Sequence, residues 1–324
     1  VEIRQNRPQA VCGWGLGFCG RARYNRGDYR AYKEEETAVS YQNVVVIINP
    51  ASGKQEPILN TLNDVFHKHD IPWSIRITHQ FGDASRFARE AVDSGADLVV
   101  GYGGDGTQME VANGLKGSSV PLGILPGGTG NAMAFELNIP RDLRQAAELI
   151  CTSQNTKQVD LARVGDKHFM LRLYSGVNEE QKTSREMKDK YGVLAYPMSV
   201  VGMLRDLNHA HYKLTIDGEM VEENGVVCFV INAGSLGGVT LSFDSQIDVT
   251  DGFLDVFMIN TDLSSLGAAT GRFLNLPLEK ARWHYWRGRE IVMEADPPQT
   301  IWLDGELLGP TPVTITAVPA AIRV

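Results

Sequence analysis

The sequence predicts an α/β N-terminal domain with a doubly wound, mostly parallel sheet, followed by a largely antiparallel β domain. The chain has 324 residues, more than one compact core usually organises. Before about residue 160, apolar strand-like runs alternate with amphipathic helical segments about four times, which is typical of a parallel sheet with crossover helices. Beyond it, short segments rich in β-branched and aromatic residues follow one another with few helical segments between them.

Composition narrows the possible classes of protein. The formal net charge is −8 and the isoelectric point is about 5.4, which argues against a general nucleic-acid binder because such a surface would be basic. No apolar run is long enough for a membrane-spanning helix, and the charged first residues do not resemble a signal peptide. The four cysteines show neither metal-ligand spacing nor a disulfide framework. We therefore expect a cytoplasmic protein with reduced thiols and no nucleic-acid partner.

The α/β domain is predicted to span residues 43–159, after an extension of unknown role at residues 1–42. Its predicted strands are residues 44–48, 73–77, 98–100 and 120–125. Apolar residues that recur on one face predict a helix from Pro57 and a second helix that ends at Gly95. Residues 108–115 predict a third helix, and a short fourth helix runs through Phe135.

The second domain is predicted to span residues 160–324, and its last strand could return to the first domain. The predicted strands are residues 212–217, 226–232, 254–260, 291–295, 300–303 and 313–318. One helix is predicted over residues 194–207. The Asp-Gly pairs that begin at Asp217, Asp251 and Asp304 are typical of hairpin turns.

The third predicted strand ends in a turn with four glycines in six residues, and a helix follows it. Strand, glycine turn and helix together bring backbone N–H groups and a helix N-terminus against a phosphate. Asp105 lies within this turn. A carboxylate beside a phosphate is repulsive unless it holds a cation or handles a proton, so Asp105 indicates phosphoryl chemistry.

Other turns should meet this one. Right-handed crossovers place the carboxyl ends of parallel strands along one edge of the sheet, where open α/β sheets bind ligands. We therefore expect residues 49–54, Thr78, residues 103–107 and residues 127–131 to converge there. The convergence of several turns rich in glycine and hydroxyl groups predicts a phosphate site more strongly than any one turn does.

Five motifs carry a family resemblance. They are residues 49–54 (NPASGK), 103–107 (GGDGT), 125–131 (LPGGTGN), 251–255 (DGFLD) and 303–306 (LDGE). In order and approximate spacing they resemble the diacylglycerol kinase catalytic domain family. That family includes bacterial lipid kinases, diacylglycerol kinases and the sphingosine and ceramide kinases, and it is similar in fold to NAD kinases. The resemblance runs from about Asn43 to the C-terminus and is closest to the bacterial branch.

The resemblance implies ATP- and Mg²⁺-dependent transfer of the γ-phosphoryl group to a lipid hydroxyl, between the two domains. It implies that the nucleotide and its phosphates contact residues of the converging turns and two later lysines. These residues are Asn49, Ser52, Gly53, Lys54, Thr78, Gly103, Gly104, Asp105, Gly106, Thr107, Gly128, Thr129, Asn131, Lys188 and Lys190.

The resemblance also implies three catalytic carboxylates. Asp304 is similar to the proposed base of the family, Glu306 lies beside it, and Asp105 would handle Mg²⁺ or the acceptor hydroxyl. Which aspartate is the base stays open, since either could take the proton. Asp251 is similar to a structural Mg²⁺ site of bacterial members. Asn178 departs from an acidic residue common in relatives, which weakens a sphingoid assignment.

The expected acceptor is diacylglycerol or a similar neutral lipid alcohol, met by peripheral contact with a membrane surface. Alternatives are the same reaction on a sphingoid base, ceramide or NAD, and a nucleotide-binding protein that has lost catalysis. The persistence of Asp105, Asp304 and Glu306 disfavours the last of these. A dinucleotide-binding oxidoreductase would require the G-x-G-x-x-G fingerprint, which is missing. A homodimer stays an open expectation.

Overall fold

A computed structural model describes residues 41–52, 54–153, 155–176, 209–235, 247–260 and 283–324, all within one compact unit. The predicted extension, apart from its last two residues, and the predicted helix at residues 194–207 lie outside these ranges. The described residues form two lobes. The first lobe ends with a helix at Thr152, and the first strand of the second lobe begins at Gln158, close to the predicted boundary.

The first lobe is built on a four-stranded parallel sheet flanked by helices. The strand order is β2-β1-β3-β4. The strands are β1 (Val44–Ile48), β2 (Trp73–Ile77), β3 (Leu98–Gly103) and β4 (Leu122–Pro126). The helices are α1 (Ile58–Lys68), α2 (Asp83–Asp93), α3 (Asp105–Leu115), α4 (Ala132–Glu136) and α5 (Leu143–Thr152).

Both faces of this sheet are covered, so the doubly wound prediction is confirmed. Successive side chains of a strand point to opposite faces of a sheet. All five residues of β1 are buried, so both faces are covered. Val44, Val46 and Ile48 belong to the core that includes residues of α1 and α5. Val45 and Ile47 belong to the core that includes residues of α2 and α3. The helix α3 begins at Asp105, three residues earlier than predicted, so the glycine turn leads directly into it.

The second lobe is a sandwich of two antiparallel sheets, as the sequence predicts. Among the described residues the strand orders are β12-β11-β10-β7-β14-β15 and β6-β5-β16-β13-β8-β9. The strands are β5 (Gln158–Val164), β6 (Lys167–Phe169), β7 (Arg172–Ser175), β8 (Ala210–Ile216), β9 (Glu219–Gly225), β10 (Val227–Ile231), β11 (Leu254–Ile259), β12 (Trp283–Gly288), β13 (Glu290–Asp296), β14 (Thr300–Leu303), β15 (Glu306–Pro310) and β16 (Val313–Arg323).

Two of the three predicted Asp-Gly hairpins are confirmed. Asp217 and Gly218 join β8 to β9, and Asp304 and Gly305 join β14 to β15. Both aspartates have positive φ, 48° in each case, as tight hairpins require. The pair at Asp251 forms a turn that leads into β11, but within the described residues 247–250 no strand leads into this turn.

The two lobes share a hydrophobic core. The cluster around α2 and α3 also contains second-lobe residues, namely Val159, Leu161, Met170, Leu171, Ala233, Val249 and Ile322. The last strand, β16, stays in the second lobe, where it pairs with β5 and β13, although its residue Ile322 contributes to this shared core. Among the described residues no helix is long and apolar enough to cross a membrane.

Candidate active site

Three of the predicted turns meet at the carboxyl edge of the parallel sheet. The backbone N–H of Asn49, after β1, donates to Tyr102 O in β3 at 3.0 Å. The side-chain amide of Asn49 donates to Thr107 Oγ1 at 2.9 Å. The N–H of Gly127, after β4, donates to Gly103 O at 2.9 Å. The turns after β1, β3 and β4 are therefore joined directly.

The turns after β3 and β4 approach so closely that only glycine fits. A Cβ placed on Gly128 would lie 2.5 Å from the Cα of Gly104, a distance that real Cβ atoms do not show. A Cβ on Gly103 would lie 2.5 Å from the Thr107 side chain. By contrast, Gly106 has open space around it and is exposed, as is Thr129. Gly103 and Gly128 are therefore required for packing, whereas Gly106 has free space around it. We call the edge formed by residues 49–52, 103–107 and 127–131 the rim.

Asp105 and Asn131 fix the start of the short helix α4 beside this rim. Asp105 Oδ1 accepts a hydrogen bond from the N–H of Met133 at 3.2 Å. Asn131 has a φ of 53°, and its side chain bonds both the N–H and the carbonyl of Gly128, at 2.9 and 2.6 Å. Asn131 is buried, so its amide shapes the turn from inside.

Lys54 and Ser52 stabilise the rim through backbone contacts. The ammonium of Lys54 donates to the carbonyls of Pro126 and Arg141, at 2.8 and 3.0 Å. The hydroxyl of Ser52 donates to Asn49 O at 2.6 Å. Contact of Lys54 with a nucleotide stays a prediction, because its described partners are carbonyl groups that tie the first turn to the segment after β4.

A cleft of about 450 Å³ opens beside the rim. Thr78, which follows β2, lines it together with Asn49 and Thr107, as the sequence predicts for converging strand ends. The N–H of Thr78 donates to Ile48 O at 3.0 Å, which fixes the start of the loop to α2. Two further lining residues, Phe81 and Glu110, are not among those predicted.

Glu110 organises one wall of the cleft. Its Oε2 accepts hydrogen bonds from the N–H groups of Gly82 and Ala84, at 2.9 and 3.2 Å. Burial raises the pKa of Glu110, these donors lower it, and the charge of Glu306 raises it further. The signal for Glu110 was present in the sequence, since a residue three positions after Thr107 lies on the same helical face.

Asp304 lies in the hairpin turn of the second lobe, where three backbone donors hold its carboxylate. The N–H groups of Met170 and Arg172 donate to it at 2.9 and 2.8 Å, and that of Leu171 at 3.2 Å. Burial raises the pKa of Asp304 to about 6 although these donors and the Arg172 guanidinium lower it. A carboxyl with a pKa near neutrality suits a general base.

The turn that bears Asp304 lies at the junction of the lobes. Met170 and Leu171, which hold the carboxylate, belong to the shared core. Glu306, at the end of the same turn, is near enough to Glu110 on α3 for its charge to raise the pKa of Glu110. The charges on the hairpin turn and on α3 therefore act on each other across the junction.

A second contact joins the lobes close to Asp304. Arg172 Nη2 donates to Ser235 O at 2.6 Å, and the N–H of Ser235 donates to Glu136 Oε2 on α4 at 2.9 Å. Arg172 is the cation that acts on the Asp304 carboxylate. Helix α4, whose Met133 N–H donates to Asp105, is thus connected through Ser235 to Arg172.

Asp251, the last of the described site residues, is bound to neighbours in its own lobe. Asp251 accepts from the Phe253 N–H at 2.9 Å and forms an ion pair with Arg287, so a cation there would compete with a guanidinium. Within the described residues no group of three or more acidic, histidine or cysteine side chains could hold a metal. Magnesium at Asp251 stays a prediction. Gly53, Lys188 and Lys190 lie outside the described residues, as does Asn178.

Comparisons with known proteins match two consecutive stretches of the chain, and the first extends through β5 of the second lobe. Residues 43–164 match the model of the diacylglycerol kinase catalytic domain. Residues 172–324 match a YegS C-terminal NAD kinase beta sandwich-like domain. The chain belongs to the diacylglycerol kinase catalytic domain family. The family resemblance and the fold class predicted from the motifs are both confirmed.

Relatives in this family come from several bacteria. A diacylglycerol kinase of Mycobacterium tuberculosis is 29% identical over 252 residues, which cover 75% of this chain and 81% of the relative. An uncharacterized protein of Synechocystis sp. is 31% identical over 246 residues, which cover 73% of this chain but only 57% of the relative. A crystal structure of a diacylglycerol kinase from Bacillus anthracis superposes with a TM-score of 0.72 and 27% identity, over 87% of this chain and 96% of that chain.

Proposed function

We propose that this member of the diacylglycerol kinase family transfers the γ-phosphoryl group of ATP to the hydroxyl of diacylglycerol or a similar neutral lipid alcohol. The observation that carries the proposal is the junction described above. Three interlocked turns meet at the edge of the sheet in one lobe, and the hairpin turn of the other lobe brings Asp304 to the junction of the lobes. The name of the Mycobacterium tuberculosis relative supports the choice of acceptor.

The rim supplies what phosphoryl transfer needs most, which is positioning and charge neutralisation. Backbone N–H groups of the glycine turns and the N-terminus of α3 would hold the phosphates. Thr107 and Asn49, already bonded to each other, would orient them. Gly128 and Gly104 keep the two turns in contact, so the rim is formed before a nucleotide arrives.

Asp304 would take the proton of the acceptor hydroxyl as the lipid oxygen attacks the γ-phosphorus. Its pKa of about 6 leaves it mostly ionised at neutral pH and still basic enough to accept a proton. Glu306, exposed at the same turn, would help to orient the acceptor. The base is assigned to Asp304 rather than Asp105 because burial raises the pKa of Asp304 to about 6, whereas Asp105 lies in the glycine turn, where a carboxylate suits Mg²⁺.

Asp105 would hold Mg²⁺. The residues fit this ion, since Mg²⁺ in phosphoryl-transfer sites is bound by one or two carboxylates together with the phosphates, and Asp105 is half-buried at the rim. When bound, the ion would neutralise charge that develops on the phosphates. Asp105 also positions α4 through Met133, so it would link ion binding to the lobe junction.

The proposed acceptor implies peripheral contact with a membrane surface. The test is mass spectrometry of the products formed from labelled ATP, Mg²⁺ and a panel of diacylglycerol, ceramide, sphingosine and NAD. Labelled phosphatidic acid as the dominant product supports the proposal. A dominant ceramide, sphingosine or NAD product would move the protein to another acceptor, and ATP binding without any transfer would indicate a nucleotide-binding protein without catalysis.

A further inference from the structure

Phe81 has the greatest exposure of any large apolar side chain in the described residues, at 78%. It lies in the loop between β2 and α2 and lines the cleft together with Thr78 and Thr107. A phenylalanine left in water forgoes the stabilisation that burial would give, so its position at the mouth of a cleft calls for a physical reason.

The backbone around Phe81 is held in place on both sides. The N–H groups of His79 and Gln80 donate to Asp83 Oδ2, at 2.9 and 3.1 Å. After Phe81, the N–H groups of Gly82 and Ala84 donate to Glu110 Oε2. Two carboxylates thus fix the backbone on both sides of Phe81.

Asp83 is itself fixed, which extends the rigidity of this loop. It is buried, and its Oδ1 pairs with Arg86 at 2.8 Å. Backbone hydrogen bonds from His79 and Gln80, together with the Arg86 side chain, hold the pKa of Asp83 well below its usual range, so it stays ionised at neutral pH. Gly82 completes the loop with a φ of 88°, which a residue with a side chain would adopt only under strain.

We propose that Phe81 stacks on the base of the nucleotide whose phosphates lie on the glycine turns. The proposal rests on the proposed function and adds a specificity-determining residue to it. The cleft is lined by polar groups, including Asn49 and Thr107, where phosphates would lie. It is also lined by the flat apolar ring of Phe81, a surface on which a base can stack, and a purine offers the larger stacking face.

The experiment separates the base from the phosphates. Binding of ATP, CTP and inorganic tripolyphosphate is measured by calorimetry with Mg²⁺ on the wild type, Phe81→Ala, Phe81→Trp and the control Met220→Ala. Met220 is 59% exposed on β9 and lines no part of the cleft. Stacking predicts that Phe81→Ala weakens ATP binding by about 5- to 150-fold and changes tripolyphosphate binding by less than about twofold. Phe81→Trp retains ATP affinity, Met220→Ala leaves all three ligands unchanged, and the preference for ATP over CTP falls in Phe81→Ala.

Other results would overturn the stacking role. Equal losses for ATP and tripolyphosphate would mean that Phe81 only maintains the loop, and an unchanged ATP affinity would mean that the base binds elsewhere. Loss of sedimentation with phosphatidylglycerol vesicles, at unchanged ATP affinity, would identify Phe81 as a membrane contact. Wild-type protein that binds ATP but phosphorylates no lipid refutes the proposed function and leaves stacking to be decided by these titrations. Wild-type protein that does not bind ATP refutes both.

Discussion

The two sides of the candidate site are specified in opposite ways. On the first lobe the rim consists of backbone, and its shape depends on missing side chains, because a Cβ on Gly128 would collide with Gly104. On the second lobe the contribution is one side chain, the carboxylate of Asp304, and the backbone serves it with the N–H groups of residues 170–172. The first side is shaped by positions where no side chain fits, and the second by backbone N–H groups that donate to one carboxylate.

This difference separates two kinds of function. The glycine turns can hold phosphates, and their one carboxylate, Asp105, would hold Mg²⁺. A desolvated carboxylate can accept a proton but repels phosphates. The Asp304 carboxylate lies on the second lobe, apart from the glycine turns of the first. Changes to the rim should therefore alter nucleotide binding and stability, and changes to Asp304 should alter the rate.

The largest effect is expected for Asp304→Asn. The substitution preserves size, but only its one oxygen can accept from the N–H groups of residues 170–172, because its amide nitrogen is a donor. It also removes the base, so kcat should fall by about 10² to 10⁴-fold. ATP affinity should stay within a few-fold of the wild type. Steady-state kinetics and calorimetry on the same samples check both values, with thermal melting as the control for folding. An unchanged kcat would show that Asp304 is not the base and would favour Asp105.

A smaller and different effect is expected at the rim. Gly128→Ala forces the two turns apart, because its Cβ would lie 2.5 Å from the Gly104 Cα. We expect about 1–3 kcal/mol of destabilisation and roughly a 100-fold loss in kcat/KM for ATP. Gly106→Ala is the matched variant, since nothing lies near its Cβ, and its melting temperature should equal that of the wild type. Equal melting temperatures for both variants would contradict the steric account.

The pH dependence should distinguish the two sides again. Asp304 must be ionised to act, and its pKa is raised to about 6, so the rate should rise about tenfold per unit below pH 6 and level off above it. The folded state binds this proton more tightly than the unfolded state, so the Asp304 contribution to the free energy of unfolding falls as pH rises from about 4 to 6. Comparing unfolding of wild type and Asp304→Asn at pH 4.5 and 7.5 isolates this contribution.

A variant of Arg172 tests whether the acidic limb of the rate profile reports the ionisation of Asp304. Its guanidinium lowers the pKa of Asp304, so Arg172→Met should move the acidic limb of the rate profile to higher pH. A limb that does not move in Arg172→Met, or that persists in the residual activity of Asp304→Asn, would assign the titration to another group.

The two sides also differ in how far sequence could predict them. The glycine turns were predictable because parallel strand order alone brings residues 103–107 and 127–131 to one edge. Asp304 was placed in a hairpin by local sequence, and its role came only from the family resemblance. Its N–H partners, 132 to 134 residues away, could not be inferred, because antiparallel pairing of β7 with β14 is non-local. Phe81 was missed because an exposed aromatic has no periodic signature.

The smallest effect is expected at Gln108, a buried polar residue that supports the rim without lining the cleft. Its Nε2 donates to Gly101 O at 2.9 Å and more weakly to Leu125 O, and its Oε1 has no hydrogen-bond partner among the described residues. That oxygen occupies the space of a Gly101 side chain, since a Cβ there would lie 2.5 Å from it. Gln108→Ala should cost about 1–3 kcal/mol of stability, because two carbonyls lose a buried donor.

Coupling with Gly101 makes this prediction specific. Gly101→Ala alone should destabilise the fold through the collision with Oε1, but on the Gln108→Ala background the new methyl group has room. The double-mutant cycle, measured by denaturant unfolding, should therefore give a cost for the pair that is smaller than the sum of the single costs. Additive costs would show that the contact does not explain the glycine, and the rim would then depend on Gly101 through its backbone alone.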